Sequence, residues 1–303
     1  MARVDLVHPD NAEGPWFVDT RCIRCDVARH WAPGLIDMDP DGLSFVARQP
    51  ENSDEVAALW RAAAACPTQS IGTTEARRPP QPAFPFELTL GVYALGHNAR
   101  ESFGAHSYLV PRPDGNLMID SPRFTRGLAE RIDDLGGVRH VLLSHRDDVA
   151  DADRWAERYG AEVWIHAADA DAAPYATAVF EGDEIVEIAA GVVAVPAPGH
   201  TEGSVVFHID DRWLFTGDTL HWNRRRGELD VFAGPMFHSW GVLADSMDRL
   251  AKLAVEWVFP GHGNWHHVGA ALYAEQMDRL GPAMRDIGRG DWSSRPNSAY
   301  DWY

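Results

Sequence analysis

The sequence lacks long apolar runs, and cysteine is scarce. No stretch approaches the roughly 18 consecutive apolar residues that span a bilayer, and the first residues, MARVDLVHPDNAEG, contain no apolar core of signal-peptide length. The 3 cysteines, Cys22, Cys25 and Cys66, are an odd number, which argues against a disulfide framework. We therefore expect a soluble cytoplasmic protein with no membrane partner, in which the cysteines are buried or bind a metal.

Basic residues are also in short supply. The 303 residues include 27 Lys and Arg against 45 Asp and Glu, so the formal net charge is -18. Binding to nucleic acid or to an anionic membrane surface demands clustered Lys and Arg side chains. The composition therefore argues against either of these as the main partner.

A proline-rich segment, EARRPPQPAFPFE, separates two parts of different character. Upstream, the alanine-rich run VAALWRAAAAC predicts a helix that ends just before Pro67. Downstream, short β-rich runs alternate with amphipathic helical segments, which is typical of an α/β protein. We predict a small domain over residues 1–75, a linker over 76–86 and a larger α/β domain over 87–303.

Four predicted strands of the larger part lead into a histidine or an aspartate. LLSH ends at His145, APGHTEGS contains His200, LFTGD ends at Asp218 and FPGHG contains His262. Strand ends place side chains on a rigid platform, and neighbouring glycines allow close approach of backbone and ligand. Imidazoles and carboxylates are ligands for zinc and non-haem iron, and an aspartate between two ions can bridge them. Together, the four residues predict a metal centre.

The order of these motifs resembles the metallo-β-lactamase superfamily, over roughly residues 84–281. The resemblance implies an αββα sandwich with one or two metal ions at one edge of the sheets. It also implies that Asp120, in NLMIDSPR, supports the site from behind. His97 and His166 match positions near such a site, where they would support it, contact substrate or be ordinary structural histidines.

The loop HRDDVADAD, which begins at His145, departs from the HxHxDH pattern of most superfamily members. It more closely resembles a bacterial and plant subgroup that has the loop HRDDVADH and a preceding ferredoxin-like domain. In that register Asp151 takes the aspartate position and Ala152 replaces the last histidine. One ion would then be held by His145, Asp147 or Asp148, His200 and Asp218, and a second by Asp151, Asp218 and His262.

The exchange of imidazole for carboxylate bears on the choice of metal. Carboxylates are hard anionic ligands, so the aspartates shift the preference from zinc toward iron or manganese. We expect one or two divalent ions, with iron, zinc and manganese as the candidates. A simpler role is also open to the aspartates, because an acidic run before RWAERYG would cap the N-terminus of a helix.

The N-terminal part resembles a small single-cluster ferredoxin over about residues 10–73. That family holds its iron–sulfur cluster with CxxCxxC and a later Cys-Pro. Cys22, Cys25 and Cys66 fit three of the four places, and Ala28 stands at the fourth. Three thiolates can hold a three-iron cluster or a four-iron cluster with one open position, but a domain that has lost its cluster would look the same.

The leading functional interpretation is a metal-dependent hydrolase. A metal-activated water would attack an ester, thioester, lactone or related bond of a small-molecule substrate, and Asp151 or Asp148 would orient or deprotonate that water. The alternative is a carboxylate-rich iron oxidoreductase, which receives electrons from the ferredoxin-like domain and so has an electron-transfer partner. A third interpretation is a non-catalytic protein that has lost both cofactors.

Overall fold

The computed structural model describes residues 2–75, 79, 81–89, 91–234 and 238–294, so residues 76–78 and 80 of the predicted linker lie outside the described residues. The chain divides into two compact units. The first unit comprises Met1–Asn116 and Pro122–Gly137, and the second comprises Leu117–Ser121 and Val138–Tyr303. The division into residues 1–75, 76–86 and 87–303 stays a prediction.

The described residues of the first unit form seven short strands and three α-helices. Its strands are β1 (Trp16–Val18), β2 (Ile36–Met38), β3 (Ser44–Val46), β4 (Ile71–Thr73), β5 (Phe86–Thr89), β6 (Val92–Ala94) and β7 (Tyr108–Val110). Its helices are α1 (Val27–Trp31), α2 (Ser53–Ala65) and α3 (Arg126–Asp134). Strand β1 pairs antiparallel with β4, β2 with β3, and β6 with both β5 and β7.

Helix α2 shows why these residues adopt their local structure. Its alanine-rich sequence favours a helix, and the Asn52 side chain caps its start by accepting hydrogen bonds from the backbone N–H groups of Asp54 and Glu55. Its end also contacts a later part of the unit, because the Asn98 N–H donates to the Ala65 carbonyl over 3.2 Å. The N-terminal segment therefore packs together with the residues that follow β6.

Two sheets form the centre of the second unit. The first is parallel and contains β8 (Leu117–Ile119), β9 (His140–Leu142), β10 (Glu162–His166) and β11 (Ala178–Phe180). The second has the order β12 (Val186–Ala189), β13 (Val192–Pro196), β14 (Val205–Ile209), β15 (Trp213–Gly217), β18 (Trp257–Pro260) and β19 (His266–His267). A separate hairpin joins β16 (His221–Asn223) to β17 (Glu228–Asp230).

The remaining helices of the second unit pack on these sheets. They are α4 (Ala152–Tyr159), α5 (Trp240–Leu250) and α6 (Ala270–Ser294), the last interrupted at Gly288. Helix α4 packs on β9 and β10, whereas α5 and α6 bury apolar side chains such as Leu243, Met247 and Met277 in one core with strands of the second sheet. The predicted α/β class is confirmed, and no helix among the described residues is both long and apolar enough to cross a membrane.

Candidate metal centre

Four loops of the second unit carry the polar side chains of the site. His145 follows β9 and leads into a 3₁₀ helix, Arg146–Asp148. His200 lies beyond β13, Asp218 follows β15 directly and His262 lies just beyond β18. Each side chain therefore lies beyond the end of a buried strand, and the rigid sheet fixes the backbone from which it projects.

Three of these residues form a first cluster. Ligand atoms of His145, His200 and Asp218 all lie within 4.8 Å of one another. Oδ2 of Asp218 is 3.8 Å from Nε2 of His145 and 3.6 Å from Nε2 of His200. Asp147 adds a carboxylate, with its Oδ2 3.3 Å from Nε2 of His200. Two imidazoles and two carboxylates thus converge, which is a donor set suited to zinc, iron or manganese.

A second cluster shares one residue with the first. Ligand atoms of Asp148, Asp218 and His262 also lie within 4.8 Å of one another, and Nδ1 of His262 is 2.7 Å from Oδ1 of Asp218. The Asp148 side chain is 1% exposed, yet neither of its carboxylate oxygens has a hydrogen-bond partner among the described residues. A buried carboxylate without partners is costly unless a cation neutralises it.

The electrostatics of the clusters favour cation binding. Burial, together with the nearby charges of Asp218, Asp120 and Asp147, holds the pKa of Asp148 well above its usual value. Burial would also raise the pKa of Asp218, but His262, His145 and His200 outweigh it and lower that pKa below the usual value. Burial lowers the pKa of His145 to about 4. His145 is therefore a neutral imidazole at physiological pH, which is the form that binds metals.

A hydrogen-bonded relay behind His145 orients its ring. The Ser144 hydroxyl donates to Oδ2 of Asp120 over 3.0 Å and lies 3.0 Å from Nδ1 of His145, and the Ser144 N–H donates to Oδ1 of Asp120 over 2.8 Å. Because the hydroxyl proton is engaged by Asp120, the serine oxygen accepts from Nδ1–H of His145. Nε2 then carries the lone pair, and it is a buried atom with no hydrogen-bond partner among the described residues.

Asp120 itself is held in an uncommon environment. Its backbone has a φ of 50°, in the left-handed region. Burial raises the pKa of its carboxyl to about 7, against the lowering effect of the two Ser144 hydrogen bonds. The structure thus places Asp120 directly behind a residue of the first cluster.

Asp169 is a site residue that the sequence did not reveal. It is buried, and its Oδ2 accepts hydrogen bonds from the Arg146 N–H over 3.1 Å and from the Thr201 hydroxyl over 2.5 Å. It therefore ties together the loops that carry His145 and His200. A Cβ on Gly203 would lie 2.6 Å from the Asp169 Cγ, so the glycine in GHTEGS makes room for this carboxylate. The sequence offers only two aspartates, Asp169 and Asp171, in an alanine-rich segment after the predicted strand EVWIH.

Glycines beside the clusters have a direct steric role. A Cβ on Gly261 would lie 2.8 Å from Oδ2 of Asp148 and 3.0 Å from Oδ1 of Asp218. Gly217 has a φ of 48°, and a Cβ there would lie 2.4 Å from the Ser144 hydroxyl oxygen. The glycine contexts in the sequence therefore reflect the close approach of backbone to the ligand side chains.

The structure does not place Asp151 in either cluster. Its side chain is 31% exposed, and its Oδ2 lies 3.5 Å from Nη1 of Arg154 at the start of α4. Asp148 takes the place in the second cluster that the sequence register assigned to Asp151. The reason is the 3₁₀ turn after His145, which brings Asp148 inward within three residues, whereas Ala152 is fully buried in α4.

His166 and His97 are members of neither cluster. Nδ1 of His166 accepts from the Ala168 N–H over 3.2 Å, so its ring caps the 3₁₀ helix Ala167–Ala172. His97 belongs to the first unit, where its ring makes an edge contact with Phe84 at a centroid distance of 6.1 Å. Both contacts are structural ones.

The cysteines lie together in the first unit. Cys22, Cys25 and Cys66 line one cavity, and Ala28 lines it as well. All three thiols are free in the structure. The cavity therefore brings the predicted cluster ligands to one place.

Comparison with known proteins agrees with both parts of the fold. Residues 101–262 match the family model of the metallo-beta-lactamase superfamily, and residues 18–73 match that of the 4Fe-4S single cluster domain of ferredoxin I. The solved structure of the DIM-1 metallo-beta-lactamase exposed to ceftazidime has a TM-score of 0.51 and 17% identity, and the match covers 65% of this chain and 95% of that one. The structural likeness confirms the predicted fold.

Similar sequences also occur among curated proteins. An uncharacterized protein of Mycobacterium tuberculosis (strain ATCC 25618 / H37Rv) is 31% identical over 198 residues, which are 54% of this chain and 87% of that protein. A hydroxyacylglutathione hydrolase of Acidiphilium cryptum is 31% identical over 119 residues, covering 38% of this chain and 49% of that enzyme. One from Fuscovulum blasticum is 30% identical over 143 residues, covering 46% and 53%. The match thus spans about half the length of each hydrolase.

Proposed function

Because the chain belongs to the metallo-β-lactamase superfamily, we propose that it is a metal-dependent hydrolase of a thioester or a related bond in a small molecule. The observation that carries the proposal is the pair of clusters that share Asp218. The likeness to two hydroxyacylglutathione hydrolases supports a thioester in preference to the other bonds considered.

The residues present fit divalent ions. Nε2 of His145 and both carboxylate oxygens of Asp148 are buried without hydrogen-bond partners in the described part of the chain, so they are free to act as donors. His145, His200, Asp147 and Asp218 would hold one ion, and Asp148, Asp218 and His262 a second. When bound, such ions supply Lewis-acid activation of water and of the substrate carbonyl.

Asp147 and Asp148 have different roles in the proposed site. Asp147 is the carboxylate that substrate can reach, because its side chain is 40% exposed while that of Asp148 is 1% exposed. The hydrogen bond to His200 lowers the pKa of Asp147, so it stays ionised and can hold a cation or accept a hydrogen bond from the substrate at the solvent side. Asp148 lies inside, where it would orient the attacking water. Asp151 keeps only the role of a residue at the start of α4.

One specific observation favours the iron oxidoreductase as the second candidate. Asp147 provides a carboxylate where most superfamily members have a histidine, and carboxylate-rich sites favour iron or manganese over zinc. The ferredoxin-like segment would be the source of electrons. This candidate predicts a metal centre that changes its oxidation state during turnover, whereas the hydrolase needs no such change and can work with a redox-inert ion such as zinc.

The test is hydrolysis by protein loaded with zinc, iron or manganese, using a panel of small thioesters, esters and lactones. His200→Ala and Asp218→Asn should each lower kcat/KM by at least about 100-fold and reduce the bound metal, while His166→Ala, outside the clusters, should retain both. Turnover that is unchanged in Asp218→Asn would refute the proposal. The second candidate would be established if the iron-loaded protein consumed oxygen in the presence of a reductant and no metal-loaded form hydrolysed any substrate. A well-folded protein that binds no metal would exclude both candidates.

A further inference from the structure

One cavity of the first unit is lined by three thiol groups and by the methyl group of Ala28. Its empty volume is about 300 Å³, including space open to solvent, and it is lined by Cys22, Cys25, Cys66 and Ala28 together with the Asp26 side chain and several apolar and hydroxyl side chains. No histidine and no fourth cysteine is among the described residues that line it. The cavity therefore offers three soft ligands and, at one side, none.

Backbone N–H groups donate to the sulfurs, although burial raises the pKa of the Cys25 and Cys66 thiols. Cys22 Sγ accepts from the N–H groups of Arg24 and Ser44, each over 3.4 Å, and Cys66 Sγ accepts from the Ser70 N–H over 3.3 Å. The Val27 N–H donates to the sulfur of Cys25. Converging amides of this kind stabilise thiolates and the sulfides of an iron–sulfur cluster. The donors therefore reach each of the three sulfurs.

Two conformational features keep this arrangement in place. Arg24 and Asp26 have φ values of 66° and 70°, and left-handed residues in a short loop turn successive amides toward one point. A Cβ on Gly104 would lie 3.0 Å from the Cys25 sulfur, so only glycine allows the backbone at residue 104 to pack this closely against Cys25.

The other polar side chains at the cavity are engaged elsewhere. The Asp26 carboxylate forms a buried ion pair with Arg29. The Thr68 hydroxyl lies 2.7 Å from that of Ser70 and 3.5 Å from the Cys66 sulfur. With a methyl group at position 28, these contacts leave the fourth corner of a cubane cluster without a thiolate or carboxylate from the chain.

We propose that Cys22, Cys25 and Cys66 hold a four-iron cluster in which the iron facing Ala28 has no protein ligand and is labile. A one-electron oxidant such as ferricyanide then removes it, [4Fe–4S]²⁺ giving [3Fe–4S]⁺, one Fe²⁺ and one electron that reduces the oxidant. Added Fe²⁺ and one electron from dithionite reverse the reaction. The three thiolates keep the remaining three irons in both states.

The experiment uses the full chain, isolated without oxygen and reconstituted with iron and sulfide, with zinc in the other metal centre. One equivalent of ferricyanide should release one Fe²⁺ per chain and produce the electron paramagnetic resonance signal of an oxidised three-iron cluster. Fe²⁺ with dithionite should abolish that signal. Ala28→Cys, which adds the fourth thiolate, should release no iron under the same treatment. Ala57→Cys, an exposed alanine of α2, controls for an added thiol and should behave as the wild type.

Each outcome decides the matter. Release and return of one iron in the wild type, suppressed by Ala28→Cys alone, supports the labile corner. A wild-type cluster that keeps four irons with ferricyanide overturns it, as does a wild type that binds no iron and acid-labile sulfide. The oxidation and reloading of the wild type are decisive even where Ala28→Cys fails to fold.

Discussion

Asp148→Asn should change the stability of the protein in opposite directions with and without metal. In metal-free protein the Asp148 carboxylate is buried, has no hydrogen-bond partner among the described residues and lies within 4.8 Å of a ligand atom of Asp218. Two unit charges 4.8 Å apart repel by about 3.5 kcal/mol at an effective dielectric constant of about 20. Proton uptake by Asp148 relieves part of this repulsion, so the neutral amide should stabilise the metal-free fold by about 1–3 kcal/mol.

The measurement is thermal unfolding of chelator-treated and metal-loaded protein, alongside metal analysis. The melting temperature of the metal-free variant should rise by about 2–10 °C. The metal-loaded variant should melt at a lower temperature than the metal-loaded wild type and bind one ion fewer per chain, because the second cluster keeps only Asp218 and His262 of its three residues. The amide is isosteric, so packing does not account for the difference.

Asp151→Asn is the matched control. Its side chain is 31% exposed and faces Arg154, so the same chemical change should alter stability by less than about 0.5 kcal/mol with or without metal. A metal-free Asp148→Asn protein that is no more stable than the wild type would refute the account of the buried carboxylate. Loss of the second ion in Asp151→Asn, and not in Asp148→Asn, would favour the register taken from the sequence.

Two further variants test other parts of the structure. His97→Gln should make the stability of the protein less dependent on acid pH. Burial and the nearby Arg123 lower the pKa of His97 to about 4 in the folded protein. The unfolded chain therefore binds more protons between about pH 6.5 and 4, and wild-type stability falls as the pH drops through that window. Urea midpoints measured from pH 7 to 4 should fall less in the variant, and parallel curves would contradict this. Thr201→Val removes the hydroxyl that donates a hydrogen bond to Asp169. Metal titration should then show roughly tenfold weaker binding at the first cluster. Unchanged affinity would mean that Asp169 does not position the loop that carries His200.

Much of the fold and part of the site can be predicted from the sequence. Alternating apolar runs identify buried strands, and glycine beside His200, Asp218 and His262 marks places where backbone and ligand side chain come close. Each of these signals lies within a short stretch of sequence, so it can be recognised without knowledge of the tertiary structure. The two family resemblances add the order in which the motifs occur along the chain.

The remaining features depend on geometry that spacing does not encode. The one-dimensional register assigns Asp151 to the second ion and offers Asp148 only for the first, and the 3₁₀ turn after His145 is what brings Asp148 inward. Asp169 binds a backbone N–H and a threonine hydroxyl, partners that leave no residue pattern. The relay through Ser144 is hidden for the same reason, because serine is common at strand ends.

The packing within the first unit has a consequence for truncation of the chain. Trp31 meets Phe84 edge-on with ring centroids 4.9 Å apart, the rings of His30 and His106 lie 4.8 Å apart, and the Asn98 N–H donates to the carbonyl of Ala65 at the end of α2. Deleting the ferredoxin-like segment would expose Phe84 and His106 to water. A chain shortened in this way should therefore be prone to aggregate through the apolar surface that it uncovers.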